Sequence, residues 1–253
     1  MLLTDGSPND TNDLQVYESA ILDVANNESI DLGKKLDLAL AEVSDDVLDV
    51  LITRSNDFTA VTRRARGVSD VVVTAQLKRW HALHTLEVFY RDAFNNQLND
   101  RYQQKSQEYR DLARQERLYT LRFGIGLVSN PVPIATPPVL TTMQTALGGA
   151  TYFVQLSWIS SLGHEGAPGN ILTLDTVSGF GPVVSAQGVP AGIAGFNVFV
   201  GLSPDSLTLQ NASAVPVGSS FTLGNGGLIS GRSPGTGQSP DYYVTGGSGL
   251  TRG

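Results

Sequence analysis

The sequence predicts an α+β protein of two segregated domains, a helical first half and an antiparallel β-sandwich of the Ig/FN3-like kind in the second. Three observations predict it. Residues up to Gly124 hold 4 of the 27 glycines and 1 of the 12 prolines, and the other 23 and 11 lie beyond. Of the 41 charged residues, 35 lie in 1–124 and 6 after. The stretch from Thr74 to Arg122 contains neither Gly nor Pro. An alternating α/β chain would mix these compositions. A sharp partition puts helices first and short strands with Gly/Pro turns second. The expected division is a helical domain over 1–128, a sandwich over 129–231 and a flexible Gly-rich arm over 232–253.

Residues 1–11 are polar and are expected to fray. Leu14 to Ala25 places Tyr17, Ala20, Ile21 and Val24 at helical spacing, and Asn26-Asn27 ends that helix. Ser29 is the expected N-cap of a second helix, with Asp31 in its first turn, where a carboxylate suits the helix dipole. Leu32, Leu36, Leu40, Val43, Val47 and Leu51 give that helix its buried face. Arg54 to Gly67 is the least helical part of this half. Arg63, Arg64 and Arg66 cluster there, either as a solvated loop or as a contact to an acidic partner or to DNA phosphates.

Thr74 to Arg122 is the organising stretch. A stripe runs along it at steps of three and four: Trp80, Leu83, Glu87, Tyr90, Phe94, Leu98, Tyr102, Lys105, Tyr109, Leu112, Glu116, Tyr119. The apolar and aromatic members form the seam of a packed helix, against its own core or against a neighbouring copy. Asn95-Asn96 offers a break into a hairpin. The stripe keeps step across it, so the pattern predicts one long helix of roughly 70 Å.

Pro131, Pro133 and Pro137-Pro138 form a hinge that no helix crosses. Beyond it, Thr151 to Ile159 alternates, with Tyr152, Val154, Leu156 and Trp158 on one face. Further strands are expected at Ile171–Val177, Pro182–Ala186, Gly195–Gly201, Leu207–Gln210 and Ser220–Leu223. The tail from Gly231 has little to bury apart from Tyr242-Tyr243-Val244, and is expected to order only against a partner.

Catalytic and metal chemistry finds little footing. Cysteine is absent, which rules out disulfides and thiolate sites. His81 and His84 are three apart, where helical zinc pairs use four, and Glu87 is the nearest third ligand. They are read as buried or interface histidines. Gly231 to Gly237 lacks the Gly-Lys-Ser/Thr ending of a phosphate loop, and there is no G-x-S-x-G. The expectation is a non-enzyme with no metal and no cofactor. The net charge of −7 argues against general nucleic-acid binding. No apolar run reaches the length of a membrane span, and the first residues do not read as a signal peptide.

Two stretches carry a resemblance. ATYFVQLSWISSLGHEGAPGN, at 150–170, and GFNVFVGLSPDSLTLQN, within 193–211, resemble fibronectin type III or related immunoglobulin-like modules found on phage structural proteins. LKRWHALHTLEVFYRDAFNNQLNDRYQQKSQEY, followed by GIGLV and the proline hinge, resembles the helical head-to-tail connector (adaptor) proteins of tailed bacteriophages, over about residues 14–130. That resemblance implies a ring of about twelve copies beneath the portal, in the neck of the virion, assembled in the host cytoplasm. Portal and tail or neck proteins would be its partners. DNA would pass through the channel, and the β domain would sit outside the ring. An acidic wall that does not grip phosphate suits a DNA channel. The alternative is a host-surface or carbohydrate-binding tail protein with a trimerising helical stalk, using exposed aromatics such as Phe180, Tyr242 and Tyr243.

Overall fold

The computed structural model describes residues 1–55 and 66–245. It is α+β, with five α-helices in the first half and antiparallel sheets in the second. The chain forms two compact units. One comprises 3–129 and the tail from 239; the other comprises 1–2 and 130–238.

In the helical unit, α1 (Thr11–Tyr17) opens on a reciprocal cap. The Asp13 amide donates to the Asp10 carboxylate at 2.8 Å, and the Asp10 amide to Asp13 at 3.1 Å. Glu18 then turns extended, and α2 (Ile21–Glu28) begins afresh. The single helix expected over Leu14–Ala25 is therefore two. Its break lies where Glu18 leaves the helix to bind Lys105 and Tyr109. Ser29 is left-handed, with φ 55°, and closes α2. It does not open the next helix, as the spacing had suggested. Asp31 takes that place, accepting from the Lys34 amide at 3.2 Å ahead of α3 (Leu32–Ser55).

The rod expected over Thr74–Arg122 is a hairpin of two helices, α4 (Ala75–Gln97) and α5 (Asp100–Phe123). The turn falls two residues past Asn95-Asn96. Leu98 adopts φ 50°, its amide still donating to the Phe94 carbonyl, and the Asn99 side chain accepts from Arg101 to start α5. Arg79 pairs with Glu116 and Glu87 with Arg110, so the two helices run antiparallel. The stripe that keeps step through both is two seams facing each other.

Four distant segments then stitch this unit. The Leu3 amide donates to Val71, Val72 to Gly126, Val128 to Asp70 and Asp241 to Leu127, all at 2.8–2.9 Å. β1 (Ile125–Leu127) pairs antiparallel with β10 (Tyr242–Val244), Ile125 opposite Val244.

The sheet unit holds two antiparallel sheets. One orders β2 (Val139–Gln144), β5 (Phe180–Ser185) and β9 (Ser220–Thr222) as β2-β5-β9. The other orders β4 (Leu172–Asp175), β3 (Thr151–Ser160), β6 (Ile193–Gly201) and β7 (Thr208–Leu209) as β4-β3-β6-β7, with β8 (Val215–Pro216) also on β6. Tyr152, Val154, Leu156 and Trp158 point inward as their alternation predicts, and they join Phe196, Val198, Val200 and Val184 in one buried cluster. Both sheets therefore close on the same core.

The tail is not a free arm over its described length. The Leu209 amide donates to the Arg232 carbonyl at 2.9 Å, and Gln238 accepts from the Val132 amide and donates to the Asn130 carbonyl. A Cβ on Gly231 would lie 2.4 Å from the Leu209 carbonyl oxygen, so only glycine permits this approach. Hydrogen bonds from the backbone and from the Gln238 side chain substitute for the apolar side chains this part of the tail lacks. Residues 246–253 of the expected arm lie outside the described residues.

Candidate functional site

The hairpin carries the predicted seam, and the structure splits that seam into a buried part and an uncovered part. Trp80, Tyr90 and Tyr109 are buried; Phe94 and Tyr102 are half-buried. The rings of Tyr90 and Tyr109 stack at 5.7 Å with 7° between planes, and Tyr102 lies 6.0 Å from Tyr90. These residues are spent within the chain. Leu98, expected in the seam, is 74% exposed because it forms the turn. Leu112, Tyr119 and Phe123 are 36%, 42% and 67% exposed.

Polar groups fill the gaps in the stripe. Glu87 receives Arg110 at 3.2 Å and His84 Nδ1 at 3.0 Å, while His84 Nε2 meets Glu42 of α3 at 2.6 Å. Burial raises the Glu87 pKa, but His84 and Arg110 outweigh it and hold the carboxyl below its ordinary value. Glu18 sits between Lys105 and Tyr109, and its pKa too is lowered against the effect of burial. Tyr102 donates to Glu28 at 2.8 Å. Arg117 forks onto Asp46 with bonds of 2.8 and 3.0 Å. His81 and His84 turn to different partners, and among the described residues no three acidic or histidine groups gather as metal ligands.

Helical geometry sorts the flanks of α5. Arg110 and Arg117, seven apart, serve Glu87 and Asp46. Leu112 and Tyr119 lie about 160° round from them, on the flank that Lys105 begins. Glu18 covers Lys105, while Leu112 and Tyr119 stay 36% and 42% exposed among the described residues. A groove of about 360 Å³ opens there, lined by Arg79, Leu83, Leu112, Glu116, Tyr119 and Phe123. Gln76 and Gln115 complete its lining, so polar and apolar side chains share it. Its two charges, Arg79 and Glu116, answer each other at 3.4 Å. No protein-family model and no curated protein matches the chain.

Of the three arginines singled out, Arg63 and Arg64 lie outside the described residues. Arg66 has its guanidinium 4.4 Å above the Tyr242 ring. Tyr242 and Tyr243 belong to the helical unit and Phe180 to the sheet unit, so the aromatic trio is not carried by one module.

Sequence reasoning missed a second polar cluster, in the sheet unit. Glu165 accepts from Ser157, from Asn197 at 3.0 Å and from Arg232. Burial raises its pKa, but these three donors outweigh that and leave it low. Asn197 in turn accepts from Asn211. The signal was present: Glu165 and Arg232 are two of only six charges in the second half. Among the described residues no helix is long and apolar enough to cross a membrane.

Proposed function

We propose that this chain is a structural virion protein of the connector type, which docks on a portal as a ring, joins head to tail and lets DNA pass. The observation that carries this reading is the uncovered end of the hairpin. Leu112, Tyr119 and Phe123 continue a seam whose other half is buried in the chain's own core. An apolar seam left open at one end suits assembly with a neighbour. The acid-rich surface is compatible with a channel that DNA must slide through. No cofactor or catalysis belongs to this reading.

The sheet unit fits an immunoglobulin-like module in the same proposal. In that view β6, β3 and β4 stand where strands C, F and G stand, and β5 where B stands. The β3–β4 hairpin then precedes β5 and β6 in the chain, a rearranged order for such a module.

Imaging the protein mixed with portal rings of its virion tests the connector reading. A hollow ring seated on the portal is the expected result. Protein that stays off the portal and remains monomeric overturns it, and a threefold fibre would favour the surface-binding alternative.

A further inference from the structure

In the sheet unit, the loop that follows β9 holds the only Asn-Gly pair of the sequence, Asn225-Gly226. Residues 224–227 form a four-residue turn, the Gly227 amide donating to the Gly224 carbonyl at 3.0 Å, with Asn225 and Gly226 at its centre. Both are exposed. Among the described residues the Gly226 amide donates no hydrogen bond, and a Cβ on Gly226 would meet nothing within 4 Å. The nitrogen that follows Asn225 is therefore free and unscreened.

The Asn225 side chain, in contrast, is engaged. Its Oδ1 accepts from the Ala146 amide at 3.0 Å. Ala146 lies in the connection from β2 to β3, so this bond ties that connection to the turn. Beside it the Leu147 carbonyl accepts from the Gly179 amide at 2.8 Å, and the Leu147 side chain packs on the sheet core. The tie thus holds a segment that closes over buried side chains.

We propose that Asn225 is a modification site, which loses its side-chain amide by ring closure onto Gly226 and, in its isoaspartate product, releases the tie to Ala146. The Gly226 nitrogen attacks the Asn225 Cγ, and glycine offers no Cβ to block the approach. Negative charge grows on Oδ1, where the Ala146 N–H already donates. A bond forms between that nitrogen and Cγ, and the side-chain nitrogen departs as ammonia with the proton of the Gly226 amide. The product is a succinimide ring. Water then adds to one of its two carbonyls and breaks the C–N bond there. Opening at Cγ gives aspartate, which still accepts from Ala146. Opening at the Asn225 backbone carbonyl gives isoaspartate, whose main chain runs through Cβ and Cγ and is one carbon longer. Its carboxylate leaves the place of Oδ1. Water is the sole co-reactant, and the inference is independent of the connector reading.

The full chain is incubated at mildly alkaline pH, folded and in urea, then digested and mapped by mass. The expected result is a gain of about 1 Da appearing first in the peptide that holds Asn225, split into aspartate and isoaspartate forms. Gly226→Ala is the control. Its Cβ has open space and Gly226 is not left-handed, so the turn is kept while the methyl group hinders the attack. The shift should be lost in Gly226→Ala over the same incubation. A shift in urea with none in the folded chain would show that the turn shields Asn225 and overturn the proposal. No shift in either state overturns it as well. An equal shift in Gly226→Ala would mean that the nitrogen of residue 226 is not the nucleophile, and the mechanism falls. Hydrogen exchange reads the tie. The Ala146 amide should lose protection in the isoaspartate fraction and keep it in Asn225→Asp, and unchanged protection in the isoaspartate fraction overturns the release.

Discussion

His81 and His84, one turn apart, are pushed in opposite directions from the ordinary imidazole pKa by what surrounds them. His81 is fully buried, with Nε2 3.0 Å from the Leu36 carbonyl and Nδ1 2.8 Å from the Asn9 amide nitrogen. A neutral ring donating to the carbonyl and accepting from Asn9 satisfies both. Burial pushes its pKa down to about 4. For His84 burial also works downward, but Glu87 and Glu42 outweigh it and raise the pKa. The signs follow. His81 has a folded pKa below its unfolded one, so its contribution is present above about pH 6.5 and lost as pH falls towards 4, on the order of 3 kcal/mol. His84 has a raised folded pKa, so its contribution is full below about pH 6.5 and lost as pH rises through the folded value. Urea unfolding across this range should show that His81→Gln flattens the acid limb and His84→Gln the alkaline one. An alkaline limb unchanged in His84→Gln would mean the carboxylate pair does not hold its proton. In the sheet unit, Glu165→Ala strands Ser157, Asn197 and Arg232 together and should cost about 2 kcal/mol by the same measurement. The His84–Glu87 pair was legible as neighbours on one helix. Glu42 was not, because the contact crosses 42 residues of chain.

At the scale of elements, the hairpin shows what periodicity can and cannot say. The stripe from Trp80 to Tyr119 takes in Trp80, Tyr90 and Tyr109, which are buried, but also Leu98, which is 74% exposed in the turn. It could not tell one rod from two antiparallel helices, because both keep the same spacing of three and four. The deciding feature is a single left-handed leucine, which carries no turn signal. The β strands read more clearly, since alternation from Tyr152 to Trp158 has one interpretation when flanked by Gly and Pro. β2 was missed: its residues VLTTMQ are almost wholly exposed and show no buried face. Leu98 makes the hairpin turn testable. It has φ 50° and is largely exposed, so glycine loses little contact and relieves the left-handed strain. Leu98→Gly should stabilise the helical unit by about 0.5–1 kcal/mol, the strain relief exceeding the entropy gained by the unfolded chain. A lowered melting temperature would show that Leu98 makes a contact that matters more than its backbone.

At the scale of the whole molecule, the chain passes between its two units three times, after Leu2, after Ser129 and after Gln238. Composition revealed the middle passage, where charge gives way to glycine and proline. The outer two were illegible, because isolated bonds such as Leu3 to Val71 and the Gln238 side chain to Val132, with a buried Leu2-Leu3 too short to show a period, leave no pattern along the sequence. The last passage bears directly on the helical unit. Beyond Gln238, Pro240 packs where a Cβ on Gly126 would come within 2.6 Å, Asp241 accepts from the Ser129 amide, and β10 completes the ladder on β1. A chain ending at Gln238 keeps every described strand of the sheet unit and loses these contacts. It should unfold in its helical unit with a loss of about 2–4 kcal/mol, from several backbone hydrogen bonds and the uncovered Ile125 and Leu127. Hydrogen exchange resolves the two units. Amides of Ile125 and Leu127 should exchange faster in the shortened chain, while those of β3 and β6 keep their protection. Equal loss in both would show that the units melt as one, and no change in either would show that β1 is held by the 70–72 segment alone.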